Sequence, residues 1–180
     1  MIRLFVGVAL PEDIRLTLAG LCGGVPGARW VATESFHMTL RFIGEVSEGE
    51  AEDIHTALGT INARTFSLML SGVGHFESAG QVHTLWAGVE KNAELLALRA
   101  RIESALVRIG LPPEGRRYSP HVTLARLKDT PIHRVSNFLA LHGLFRAGPI
   151  PVGSFTLFSS FLKSSGALYH PEAEYPLRAA

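Results

Sequence analysis

A chain of 180 residues that is 47% hydrophobic can bury one sizeable core, which excludes a disordered segment. Lys and Arg number 17 against 16 for Asp and Glu, so the formal charge of +1 supplies no global field for nucleic acid and any basic site must be local. The single cysteine, Cys22, excludes an intramolecular disulfide or a multi-cysteine zinc cluster, and the lack of a signal-like or membrane-length apolar stretch leads us to expect a cytoplasmic protein with no membrane anchor.

Arg3 to Leu10 has the continuous apolar character of a buried strand, and Pro11-Glu12-Asp13 then opens a helix to about Leu21, ahead of Gly23-Gly24. Trp30-Val31 leads to a second strand, Phe36 to Ile43, closed by Gly44. Ser47-Glu48-Gly49-Glu50 has capping-box spacing and starts a helix to about Leu58. Phe66 to Leu70 alternates as a strand, and Ser71-Gly72-Val73-Gly74 then reads as its end and a turn. Leu85 to Val89 is the next strand. Asn92 caps a helix to about Ile109, with Leu95, Leu98, Ile102, Ala105 and Leu106 in one apolar stripe. A strand at His121 to Leu127, a helix near Ile132 to Leu141, and further strands at Val152 to Phe161 and Ala167 to Tyr169 complete the chain.

Two stretches repeat one plan: strand, helix, loop and His-x-Thr-Leu strand run from Leu4 to Leu40 and again from Leu85 to Leu124. No linker or low-complexity segment separates them. We therefore expect an α+β fold, with residues 1 to 180 forming a single domain of two pseudo-symmetric lobes. Each lobe would be antiparallel sheet with helices on the outside, and a cleft would lie between the lobes.

The repeated tetrapeptides are His37-Met38-Thr39-Leu40 and His121-Val122-Thr123-Leu124. Side chains alternate along a strand, so His37 and Thr39 share one face while Met38 and Leu40 enter the opposite, apolar layer; His121 and Thr123 repeat the arrangement. Imidazole titrates near neutrality, so a pair of histidines can supply one proton acceptor and one proton donor. Opening a cyclic phosphodiester needs both, because attacking water loses a proton while the departing ribose oxygen gains one. The threonine hydroxyls can hydrogen-bond the non-bridging oxygens, and the set requires no metal and no cofactor. Thr is common in strands for its propensity alone, but two copies at matching places in a duplicated pattern point to a site.

Parity also places Arg41 with His37 and Thr39, where it can help hold a phosphate. Phe42 is a candidate for stacking an unpaired base, a core position being the plain alternative. Arg116, Arg117, Arg126 and Lys128 form a local basic patch around the second motif. Parity turns Arg126 away from His121 unless the strand ends or bulges there. The other six histidines have no metal-ligand spacing.

These residues resemble the two-histidine (2H) phosphoesterases, in particular the RNA 2′,3′-cyclic phosphodiesterases also called 2′-5′ RNA ligases. The resemblance runs from Arg3-Leu4-Phe5-Val6-Gly7-Val8-Ala9-Leu10-Pro11 through Arg29-Trp30-Val31, the first motif with Arg41-Phe42-Ile43-Gly44-Glu45, and Leu85-Trp86-Ala87-Gly88-Val89. It continues through the second motif with Ala125-Arg126, then Phe155-Thr156-Leu157-Phe158 and Gly166-Ala167-Leu168-Tyr169. It implies His37 as proton donor to the leaving 3′ oxygen, His121 as proton acceptor for water, Thr39 and Thr123 as phosphate ligands, and Arg126 beside the cleft. The expected substrates are RNA with 2′,3′-cyclic phosphate ends or cyclic nucleotides, with no protein partner indicated. The alternatives are 2′-5′ end joining by the same site, disfavoured in water without an energy source, and a non-catalytic RNA-binding module.

Overall fold

The computed structural model describes residues 1–179, and the order of elements begins with strand β1 (Ile2–Ala9), helix α1 (Glu12–Ala19) and the short strand β2 (Arg29–Trp30). A 3-10 turn (Thr33–Ser35) leads into β3 (His37–Val46), followed by α2 (Glu48–Gly59), β4 (Phe66–Ser78) and β5 (Gln81–Val89). Then come α3 (Ala93–Arg108), β6 (His121–Pro131), a 3-10 turn (Ile132–Arg134), α4 (Ser136–Leu141), β7 (Arg146–Val152), β8 (Ser154–Lys163) and β9 (Gly166–Pro176).

The helix starts follow their caps. Ser47 and Glu50 form a reciprocal capping box at α2, and the Asn92 side chain accepts from Leu95 N–H at 2.9 Å at α3. Three expected boundaries are corrected. The segment Ser71-Gly72-Val73-Gly74 is not a turn but the middle of β4: Gly72, at φ 68°, absorbs a bulge between Leu70 and Val73, and pairing with β5 resumes beyond it. The helix near Ile132 to Leu141 is split, since only its second half is α-helical. β7, whose Gly148–Pro149 peptide is cis, has no counterpart among the expected elements, since Gly and Pro mask an edge strand.

Nine strands make one antiparallel sheet in the order β7-β4-β5-β6-β3-β1-β8-β9, with β2 added beside β6. The order is pseudo-symmetric about its centre. On one side the motif strand β3 pairs with β1, then β8 and β9; on the other, β6 pairs with β5, then β4 and β7. Each half thus repeats strand, helix and antiparallel motif strand, as the sequence duplication suggests. The sheet is curled: beyond its edge strands, Arg64 bridges Arg178, and Thr65 N–H donates to the Arg178 carbonyl.

One hydrophobic core joins the helices to one face of the sheet. Ile14 and Leu18 of α1, Ile54 and Leu58 of α2, and Leu95, Leu98 and Ile102 of α3 pack with Val6, Met38, Leu40, Val122 and Leu124. The two motif strands, β3 and β6, touch in the ladder only through Met38 opposite Val122. That pair is buried, so the residues flanking it on each strand lie on the opposite face, turned away from the helices. No helix among the described residues is long and apolar enough to cross a membrane.

Candidate active site

Because Met38 faces Val122 in an antiparallel pair, one step either way sets His37 across from Thr123 and Thr39 across from His121. The structure therefore brings the four motif side chains together where the two halves of the sheet meet. The imidazoles are close enough for His121 to affect the charge of His37.

Each ring is held in the same way. His37 Nδ1–H donates to the Ser35 carbonyl at 2.8 Å, and His121 Nδ1–H donates to the Ser119 carbonyl at 2.6 Å. A carbonyl accepts only, so both contacts place the proton on Nδ1 in the neutral ring and leave Nε2 as the acid-base atom. Thr39 Oγ1 lies 3.1 Å from His37 Nε2. Aromatic rings fix the imidazole planes. Phe5 (4.8 Å between centroids) and Tyr169 (4.8 Å, edge-on) pack on His37, while Phe76 (4.9 Å, edge-on) and Trp86 (6.1 Å) pack on His121. Trp86 lies over Gly74, where an added Cβ would collide with the indole; this explains a glycine within the strand.

Burial, the largest cause, pushes the His37 imidazole below the ordinary histidine range; the Ser35 hydrogen bond opposes this, and the charges of His121 and Arg126 add to it. His121 is lowered for the same first reason, opposed by Ser119 and reinforced by Arg126. Both rings are thus biased towards the neutral form in the free protein.

The flanking residues depart from simple alternation. After each histidine the chain reads buried, half-buried, buried, buried, exposed, because Leu40 and Leu124 are extra residues with no ladder partner. Each forms a bulge that reverses the parity beyond it. Arg41 consequently sits opposite Val6 on the core side, 7% exposed, and not beside His37 and Thr39 as parity predicts. Its Nε donates to Glu103 Oε2 at 2.6 Å and its Nη2 to the Pro112 carbonyl at 2.6 Å, tying β3 to α3 and the following loop. Phe42 takes the open face instead. It pairs with Phe5, whose ring packs on His37, and it is 41% exposed with the Arg3 guanidinium over its ring at 5.2 Å.

In β6 the same bulge delivers Arg126, the structural counterpart of Phe42. It is opposite Thr84, donates to Thr84 Oγ1 at 3.0 Å, and is on the face of Trp86 and Thr123, where its charge reaches both imidazoles. The basic loop before β6 is partly committed elsewhere, with Arg116 paired to Glu114 at 3.3 Å. Several site residues carry no local sequence signal. The aromatic cradle comes from distant strands, and Tyr118 O–H donates to the Thr39 carbonyl at 3.0 Å, tying the loop before β6 to the first motif. Burial raises the Tyr118 phenol well above its usual range, so it stays a donor.

Taken together, an antiparallel sheet with internal two-fold pseudo-symmetry and paired His-x-Thr strands at its centre defines a two-histidine phosphoesterase fold. Residues 13–159 match the family model of the 2′-5′ RNA ligase superfamily, and the chain belongs to that superfamily. Among its relatives, a protein of Aeropyrum pernix named RNA 2′,3′-cyclic phosphodiesterase is 37% identical, over 87% of this chain and 89% of its own. A protein of the same name from Thermus thermophilus is 35% identical, over 98% and 90%. The structure of E. coli LigT complexed with 3′-AMP superposes with a TM-score of 0.77 at 26% identity, covering 98% of each chain. TT0787 of Thermus thermophilus does so at 0.79 and 26%, again over 98% of each.

Proposed function

We propose that this chain is an RNA 2′,3′-cyclic phosphodiesterase in which residues 1–180 act as one catalytic unit, opening cyclic ends to 2′-phosphates without a metal. The observation that carries this reading is the meeting of His37, Thr39, His121 and Thr123 around the single Met38–Val122 pair, with both Nε2 atoms left as the acid-base positions. The names of the relatives agree with it.

In the proposed step, neutral His121 Nε2 takes a proton from water as its oxygen bonds to phosphorus. The P–O3′ bond breaks, and protonated His37 Nε2 gives its proton to O3′. The Thr39 and Thr123 hydroxyls donate to the non-bridging oxygens, and Arg126 offsets the charge that develops there. The bulge-related pair Phe42 and Arg126 supports the division of roles. Phe42 stacks the terminal base on the β3 side, so the ribose lies beside His37. Since O2′ and O3′ belong to that ribose, the leaving oxygen falls to His37 and the water side to His121.

The test is to incubate the purified protein with cyclic-phosphate-ended oligonucleotides and mononucleotides and to locate the phosphate in the product. A 2′-phosphate is expected. A 3′-phosphate would overturn the assignment of the leaving oxygen, and RNA binding without turnover would make this a binding module.

A further inference from the structure

Past the Met38–Val122 pair, β3 diverges from β6, and β2 takes the vacated edge. Trp30 pairs with Ala125, Arg29 pairs with Arg126, and Val31 N–H donates to the Leu124 carbonyl at 2.8 Å. Trp30 is anchored by packing on Phe138, with centroids 5.6 Å apart, so the position of Arg29 is set by the core. Directly opposed residues in an antiparallel pair share a face, which puts Arg29 on the open face beside Arg126, and it is exposed.

Two arginines across a ladder repel each other, and nothing among the described residues relieves them. Among the described residues neither guanidinium has a carboxylate within salt-bridge distance, although Arg41, Arg99, Arg116 and Arg146 each have one. Among the described residues, the Arg126 guanidinium donates only to a neutral hydroxyl. Lys128, two residues further along β6 and also exposed, continues the cationic edge away from His121. An anion lying between the guanidiniums turns this repulsion into attraction, and a planar guanidinium suits a phosphate.

We propose that Arg29 is a second phosphate ligand, holding the phosphodiester next to the cyclic end of an RNA strand while Arg126 holds the cyclic phosphate, and that it makes the site selective for oligonucleotides over cyclic mononucleotides. This rests on the cyclic-phosphate reading above. The residue acts on substrate capture and not on proton transfer.

The experiment compares wild type, Arg29→Gln and Arg29→Lys on a cyclic-phosphate-ended hexanucleotide and on a cyclic mononucleotide across a salt series. It adds equilibrium binding of the 2′-phosphate-ended hexanucleotide. In Arg29→Gln the hexanucleotide KM should rise about tenfold more than the mononucleotide KM, the effect of one charge-assisted hydrogen bond. The slope of log affinity against log salt should fall by about 0.7, one single-strand phosphate contact, and Arg29→Lys should recover most of that slope. Equal losses on both substrates, or a salt slope that does not change, would overturn the subsite. If wild type turns over neither substrate but its hexanucleotide binding still depends on Arg29, the hydrolase reading fails while the phosphate subsite stands.

Discussion

His37 and His121 sit in matched surroundings, yet the proposed step needs them in opposite protonation states. Both imidazoles are held below the ordinary histidine value of 6.5, first by burial. That suits His121, which must be neutral, and works against His37, which must carry a proton. A bound phosphodiester supplies the missing counter-charge, because an anion beside an imidazole favours its protonated form. The pH profile of kcat/KM, which reports the free protein, should thus be a bell centred on the acid side of the ordinary histidine value. The alkaline limb of kcat should lie at higher pH than that of kcat/KM. Coincident limbs, or a kcat/KM optimum above the ordinary histidine value, would refute this account. Replacing either histidine by Ala should slow turnover by ~10²–10⁴, and the double variant should be far less than multiplicatively worse. A nitrophenyl ester, whose leaving group needs no proton, should rescue His37→Ala and not His121→Ala; the reverse pattern would exchange their roles.

Within the motif strands the decisive feature is one extra residue. The bulges at Leu40 and Leu124 decide that Phe42 and Arg126 face the cleft and that Arg41 faces the core. Truncating Phe42 and the partner of Arg41 should therefore give different signatures. Phe42→Ala should raise KM for cyclic mononucleotides by about tenfold, within the ~1–3 kcal/mol worth of base stacking, with little change in denaturation midpoint. Glu103→Ala leaves the Arg41 guanidinium buried without its counter-charge, with Arg41 7% and Glu103 18% exposed. It should lower stability by about 3 kcal/mol in urea denaturation, the lower end for breaking a buried pair. The opposite outcome, a KM effect for Glu103→Ala and a stability effect for Phe42→Ala, would show that the bulge is misplaced. Gly7 is a further sensitive point, since a Cβ there would lie 2.8 Å from the Met38 carbonyl oxygen. Gly7→Ala should push β1 away from the first motif and reduce both stability and turnover, as measured by thermal unfolding and kcat.

Across the whole molecule, each half of the sheet contributes one histidine and one threonine, and the two motif strands share a single ladder pair. In the proposed site a phosphate gripped from both sides would bridge them, so inorganic phosphate should raise the thermal midpoint of wild type and raise it less in the Thr39→Val and Thr123→Val double variant. Equal shifts in both would remove the threonines from the phosphate site. The proposed step assigns both proton transfers to imidazoles on the sheet, and no group of three or more His, Cys, Asp or Glu among the described residues is placed to hold a metal ion. Turnover should persist in excess EDTA. Loss of activity restored by one added divalent ion would refute the metal-free step.

Local and repeated features are legible in the amino-acid sequence alone. The capping residues Ser47 and Asn92 set their helix starts through bonds spanning three residues, and the two His-x-Thr-Leu strands announced both the duplicated fold and the face shared by each His-Thr pair. Everything that depends on ladder register comes instead from the assembled sheet. A period-two reading holds only while every residue has a partner, so it misplaces Arg41 and leaves Arg126 conditional, because an unpaired leucine is not visible without the neighbouring strand. The same cause hides the continuity of β4 through Gly72 and Gly74, whose glycines accommodate a bulge and the Trp86 ring rather than a turn. Phe5, Tyr169, Phe76 and Trp86 meet the histidines, and Arg29 meets Arg126, only because strands far apart in sequence are brought edge to edge, and that closeness is a property of pairing that no single segment encodes.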